Sequence, residues 1–68
     1  MTEHSKEYGI YHWDTFDNTT FLVDEADTLN DAIRLVSEHY EGRIRPDGAD
    51  QVNIVDSMGK IVCKFKVG

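Results

Sequence analysis

Only one stretch of this chain carries the periodicity of a helix: Thr28–Gly42, T-L-N-D-A-I-R-L-V-S-E-H-Y-E-G. On either side lie short runs that read as strand pairs, each with one apolar face to hide. This helix is the only segment long enough to hide them. At about 100° per residue, Leu29, Ala32, Ile33, Val36 and Tyr40 share one stripe, with Leu35 at its margin. Asn30, Asp31, Arg34, Ser37, Glu38 and Glu41 occupy the other side. Thr28 is placed to cap the N-terminus through its hydroxyl. Asp31 takes the position of the capping-box acid, and Gly42 is the left-handed stop. Arg34 can pair with Asp31 or with Glu38, one turn away on either side.

Before the helix, Tyr8–Trp13 is rich in aromatic and β-branched residues and reads as a first strand. Tyr8, Ile10 and His12 fall on one face, and Gly9, Tyr11 and Trp13 on the other. Asp14-Thr15-Phe16-Asp17-Asn18 supplies turn formers, because short polar side chains bond to nearby backbone. A second strand, Thr19–Asp24, follows at hairpin distance. After the helix, Arg43–Asp50 is a loop with a turn at Pro46-Asp47-Gly48, where glycine can take a positive φ. Gln51–Asp56 is a third strand, Asp56-Ser57-Met58-Gly59 a tight turn with Gly59 left-handed, and Lys60–Val67 a fourth strand. In that last strand Ile61, Cys63, Phe65 and Val67 alternate with Lys60, Val62, Lys64 and Lys66.

The order is ββαββ, which predicts an α+β two-layer sandwich: a four-stranded, mostly antiparallel sheet with one helix across one face. If the second and third strands are neighbours, their crossover makes them parallel and right-handed. Residues 1–6 read as a flexible tail and 7–68 as one domain. At 68 residues, a chain buries only about 60% of its unfolded surface. With 40% hydrophobic and 29% charged residues, the composition is that of a folded globular protein.

The longest apolar run is Phe21-Leu22-Val23, far short of the roughly 18 residues of a membrane span. Met1–Glu7 has neither the basic start nor the apolar core of a signal peptide. The single cysteine, Cys63, has no internal disulfide partner, so a cytoplasmic protein without membrane attachment is the expectation.

Charge narrows the function classes. The net charge is −6, and no Lys or Arg occurs between Glu7 and Ile33. Phosphate binding depends on clustered Lys and Arg, so nucleic acid is not the expected main partner. His4, His12 and His39 lack metal-site spacing, and Cys63 has no CxxC partner. His12 and Asp14 can face the same way, the start of a two-ligand site, but a histidine beside a polar turn accounts for them. The acids of the Asp14–Asn18 turn lack the calcium-loop order. Cys63 sits between Ile61 and Phe65 as a small core residue, and Ser5, Ser37 and Ser57 lie far along the chain from His12. No enzyme, cofactor or metal site is expected.

What remains is the sheet face that one helix leaves uncovered. If Ile10 and His12 point inward, Tyr11 and Trp13 point outward beside Leu22, Val62 and Lys64. An apolar patch rimmed by charge suits a protein partner, commonly a second copy. The expected function is a small interaction domain acting through this face. The alternative is an acidic regulator that presents Asp14, Asp17, Asp24, Glu25 and Asp27 to a basic site on another protein. A weaker third reading is single-stranded nucleic-acid binding, which also uses exposed aromatics with basic neighbours.

Overall fold

The structure, a computed structural model, describes residues 4–68. Its elements are β1 (Tyr8–Asp14), β2 (Thr19–Ala26), α1 (Leu29–His39), β3 (Asp50–Val55) and β4 (Ile61–Val67). They form the expected α+β arrangement, one four-stranded sheet in the order β2-β1-β3-β4. Every neighbouring pair is antiparallel. β1 separates β2 from β3, so the parallel pairing conditional on their adjacency does not arise. After the helix the chain returns to the free side of β1 and not to that of β2.

Thr28 caps α1 as its chemistry requires. Its backbone is extended (φ −129°, ψ 156°) and its Oγ1 accepts the Asp31 N–H at 3.1 Å. Arg34 reaches Glu38 at 3.2 Å and Asp31 at 3.6 Å along the exposed side. The helix ends at His39, three residues before Gly42, which has the expected left-handed φ of 76°. Tyr40 is the C-cap, its N–H still bonded to the Val36 carbonyl at 3.0 Å. The buried stripe is Ala32, Val36 and Tyr40, flanked by half-buried Leu29 and Leu35. Ile33, expected inside, is 37% exposed. The helix rolls so that the sheet meets the Ala32–Val36 side, leaving Ile33 at the margin.

Under that stripe the sheet contributes Ile10, Ala26, Val52, Ile54 and Val67, all buried. The backbone of α1 lies over β1, β2 and β3 and stands off β4, which reaches the core through Val67, with Cys63 and Phe65 packed against it.

Two irregularities change which residues face which way. The β1–β2 register slips between Ile10 and Tyr11, and the β3–β4 register slips between Ile54 and Val55. At the second slip Cys63 pairs with Ile54 and Ile61 with Val55, so Val62 has no opposite number. A bulge of this kind breaks the two-residue alternation. Ile61, expected inward with Cys63, Phe65 and Val67, therefore lies on the helix-free side with 43% of its surface exposed.

The hairpin turns form where the sequence locates them. Asp14 Oδ1 accepts the N–H groups of Phe16 (2.9 Å) and Asp17 (3.3 Å). In the second hairpin, Gly59 has φ 84° and donates to Asp56 at 3.1 Å. The third turn corrects one expectation. Gly48 does close a turn, donating to Arg45 at 3.2 Å, but its φ is not in the left-handed range. Glycine is needed there for closeness: a Cβ would come within 2.5 Å of the Val67 backbone.

Candidate functional site

Residues opposite each other across an antiparallel pair point to the same face. Tyr11 pairs with Leu22 and Asn53, and Asn53 with Lys64; Trp13 pairs with Thr20 and Gln51, and Gln51 with Lys66. These two rows cross the face opposite the helix. Of the residues expected to form an interaction surface, Tyr11, Trp13, Leu22 and Lys64 therefore share that face. Val62 sits in the β4 bulge, 38% exposed.

Within the face is a shallow depression of about 210 Å³ lined by Tyr11, Trp13, Thr20, Asn53, Val55, Gly59 and Ile61. Leu22, Val62 and Lys64 do not line it. Ile61 and Gly59 enter it because of the bulge and the Gly59 turn, and no alternation in the sequence announces a bulge. Trp13 is 39% exposed, and its indole N–H donates to Asn18 Oδ1 at 3.2 Å, fixing the ring at the end of the hairpin. Gln51 Nε2 donates to Asn53 Oδ1 at 2.8 Å across the same face.

Tyr11 is the main departure from expectation: it faces away from the helix yet is only 4% exposed. His4 covers it, with His4 Nδ1 3.1 Å from the Tyr11 hydroxyl and the two rings edge to face at 5.9 Å. Gly9 makes room for this, since a Cβ there would lie 2.6 Å from the His4 ring. The Ser5 and Lys6 N–H groups donate to the Glu25 carboxylate. Residues 4–6 of the expected tail thus lie against the helix-free face; residues 1–3 fall outside the described residues. Tyr11 is the floor of the depression, and Trp13 and Ile61 are its accessible apolar rim.

The acidic residues do not form one free surface. Asp14 bonds its own turn. Asp24 binds His39 Nε2 at 3.0 Å and the Glu25 N–H at 2.8 Å. Glu25 holds the N-terminal segment. Asp17 and Asp27 are exposed.

Sequence reasoning missed one constellation. His12, on the helix side of β1 and only 7% exposed, has Nδ1 2.8 Å from the Tyr40 hydroxyl and Nε2 3.0 Å from Asp50 Oδ2. Its ring stacks on Phe21, centroids 5.1 Å apart. An ionised carboxylate only accepts, so Nε2 carries a proton; when the ring is neutral, Nδ1 accepts from the Tyr40 hydroxyl. The neutral ring is then fully matched. Asp50 Oδ1 also accepts from the Thr15 N–H and hydroxyl, each at 3.2 Å. The chain Tyr40–His12–Asp50–Thr15 ties α1, β1, β3 and the first hairpin turn together. His12 and Asp50 are 38 positions apart, so no local pattern links them. Asp14, the neighbour expected to share a face with His12, is used in its turn. Among the described residues no group of three or more His, Cys, Asp or Glu side chains is placed to hold a metal ion. No described helix is long and apolar enough to cross a membrane.

These pairings shift carboxylate titration. The His12 imidazole, then the Thr15 N–H, hold the Asp50 carboxyl below its ordinary value of 3.8. His39, then the Glu25 N–H, do the same for Asp24. The Ser5 and Lys6 N–H groups lower Glu25. Burial raises the Tyr40 hydroxyl. Carboxyls with depressed folded-state values add stability that is complete above the ordinary range and is lost as pH falls through the folded values. Urea midpoints are therefore expected to hold above about pH 5 and to decline below about pH 4. Asp50→Asn should flatten that drop, whereas midpoints that rise on acidification would contradict the pairing.

No protein-family model matches this chain, and no curated protein or solved structure matches it.

Proposed function

We propose that this is a small interaction domain that binds a protein partner through the helix-free face of its sheet. The observation that supports this reading is the apolar depression floored by Tyr11 and rimmed by half-exposed Trp13 and Ile61. Its volume of about 210 Å³ is below the roughly 300–1,000 Å³ of small-molecule sites. It suits one large apolar side chain of a partner. Exposed Lys64 and Lys66 lie across the sheet from Tyr11 and Trp13, favouring a partner with acidic groups around its apolar anchor. Trp13 is already fixed by Asn18, so little side-chain entropy is lost on binding.

A tryptophan that acts as an interface hot spot carries at least about 2 kcal/mol, so Trp13→Ala should weaken partner binding by roughly 30-fold. Pull-downs from the native host with wild type and with this variant measure the loss, provided the variant's circular dichroism is unchanged. Asp14→Asn, Asp17→Asn and Asp24→Asn should leave the same partner bound. The reverse pattern, loss with the asparagine variants and none with Trp13→Ala, would replace this reading with the acidic-regulator one. Tight, salt-sensitive retention of mixed-sequence single strands in a filter assay would replace it with nucleic-acid binding.

A further inference from the structure

The two outer strands of the sheet carry opposite charge. β4 bears Lys64 and Lys66, with Lys60 immediately before it, and no acid; β2 bears Asp24 and Glu25 and no base. Lysines on an edge strand ordinarily keep other strands away. In this chain the other edge has the opposite sign, so the two outer strands are complementary in charge.

The β4 edge already accepts a strand over part of its length. Ile44 bridges Val67, the Arg45 N–H donates to the Lys66 carbonyl at 2.9 Å, and the Gly68 N–H donates to the Arg43 carbonyl at 2.9 Å. This short strap occupies the outer side of β4 at residues 66–68. Among the described residues no strand pairs with the outer side of Ile61–Phe65. Since the Lys66 carbonyl points outward, strand parity directs the backbone groups of Lys64 outward too.

We propose that Ile61–Phe65 of β4 pairs with Phe21–Glu25 of β2 in a second copy of this chain, continuing the sheet from one molecule to the next. The geometry supports this occupant. β2 and β3 run in the same direction and β4 opposes β3, so β2 of an identically oriented copy is antiparallel to β4. The rows of the sheet then continue in register. Phe21, His12, Val52 and Phe65 are successive partners, and an added copy sets its Phe21 beside Phe65. Phe21 is 49% exposed and Phe65 is half-buried at the edge of the core cluster. The row Glu25, Gly9, Val55, Ile61 brings the incoming Glu25 to the Lys60 end of β4. Two-fold pairings are disfavoured by charge: β4 on β4 sets lysines against lysines, and β2 on β2 sets carboxylates against carboxylates. The net charge of −6 repels copies at long range. At 0.15 M salt the screening length is about 8 Å, so that repulsion is damped while charges on adjacent strands, about 5 Å apart, still interact.

The test is a charge swap read by sedimentation at 0.15 M salt and by amide shifts on dilution. Wild type should gain mass with concentration, with shifts at residues 21–25 and 61–65 together. Lys60→Glu with Lys64→Glu, and separately Glu25→Lys with Asp27→Lys, should each self-associate at least about tenfold more weakly. An equimolar mixture of the two should recover association, because each reversed edge meets its complement; misfolded variants would show no such recovery. Trp13→Ala should leave association unchanged. A wild type that stays monomeric at every concentration, a mixture that stays monomeric, or dilution shifts confined to Trp13 and Ile61 would each overturn the proposal. The last of these would leave the face reading standing, whereas a Trp13→Ala variant that keeps its partner would overturn the face reading and leave this one standing.

Discussion

Val36→Asp is expected to unfold the domain. Val36 has no exposed surface and packs in the core with Ile10, Val52 and Ile54. The cluster around Val36 is apolar apart from the Tyr40 hydroxyl, which His12 already engages, so a carboxylate there is buried without a countercharge in that cluster. The effective penalty for burying an unpaired charge is several kcal/mol, and the lost valine packing adds about 1.5–3 kcal/mol. A single core of this size rarely supplies more than about 3–5 kcal/mol of net stability. The penalty exceeds the reserve. Circular dichroism of the variant should show a disordered chain at 25 °C without a cooperative melt. Glu38→Gln, on the exposed side of the same helix, should melt within a few degrees of wild type, since its pairing with Arg34 contributes only about 0.2–0.5 kcal/mol. A folded Val36→Asp protein would mean that α1 lies on the sheet through another stripe.

The second large effect is expected at His12. His12→Ala removes a ring stacked on Phe21, leaves the Tyr40 hydroxyl without its acceptor and separates Asp50 from its partner. An unsatisfied buried polar group costs about 1–3 kcal/mol, and the cavity left by the ring adds to it. The sum is about 2–4 kcal/mol against a reserve of about 3–5 kcal/mol, so the urea midpoint should fall by at least about 40%. Tyr40→Phe is milder, about 1–2 kcal/mol, because packing is kept and only Nδ1 loses a partner. If the network acts as a unit, a double-mutant cycle of His12→Ala and Tyr40→Phe gives a smaller loss than the two singles added together. Additive losses would show that the two side chains stabilise the fold independently.

Much of this architecture was legible along the chain. The ββαββ order, the Thr28 cap, the Asp14 and Asp56 turns and the alternation of β3 all rest on neighbours within four residues. The candidate face was half legible. Tyr11, Trp13, Leu22 and Lys64 follow from strand alternation once Ile10 is assigned inward. Ile61 was not, because a bulge depends on how β4 meets β3. The burial of Tyr11 was hidden for the same reason: His4 reaches it only after the chain turns back over Gly9.

Sequence by itself determined the elements and their polarity, since capping, turn chemistry and side-chain period are local properties of the backbone. It also determined that a single helix serves the four-stranded sheet and leaves one face of it bare of helix. Tertiary structure alone decided the strand order, the two register slips, the lining of the depression and the Tyr40–His12–Asp50 chain. Each of these depends on which distant backbone comes to lie beside another. Burial of the whole apolar set selects that arrangement, and no local preference does.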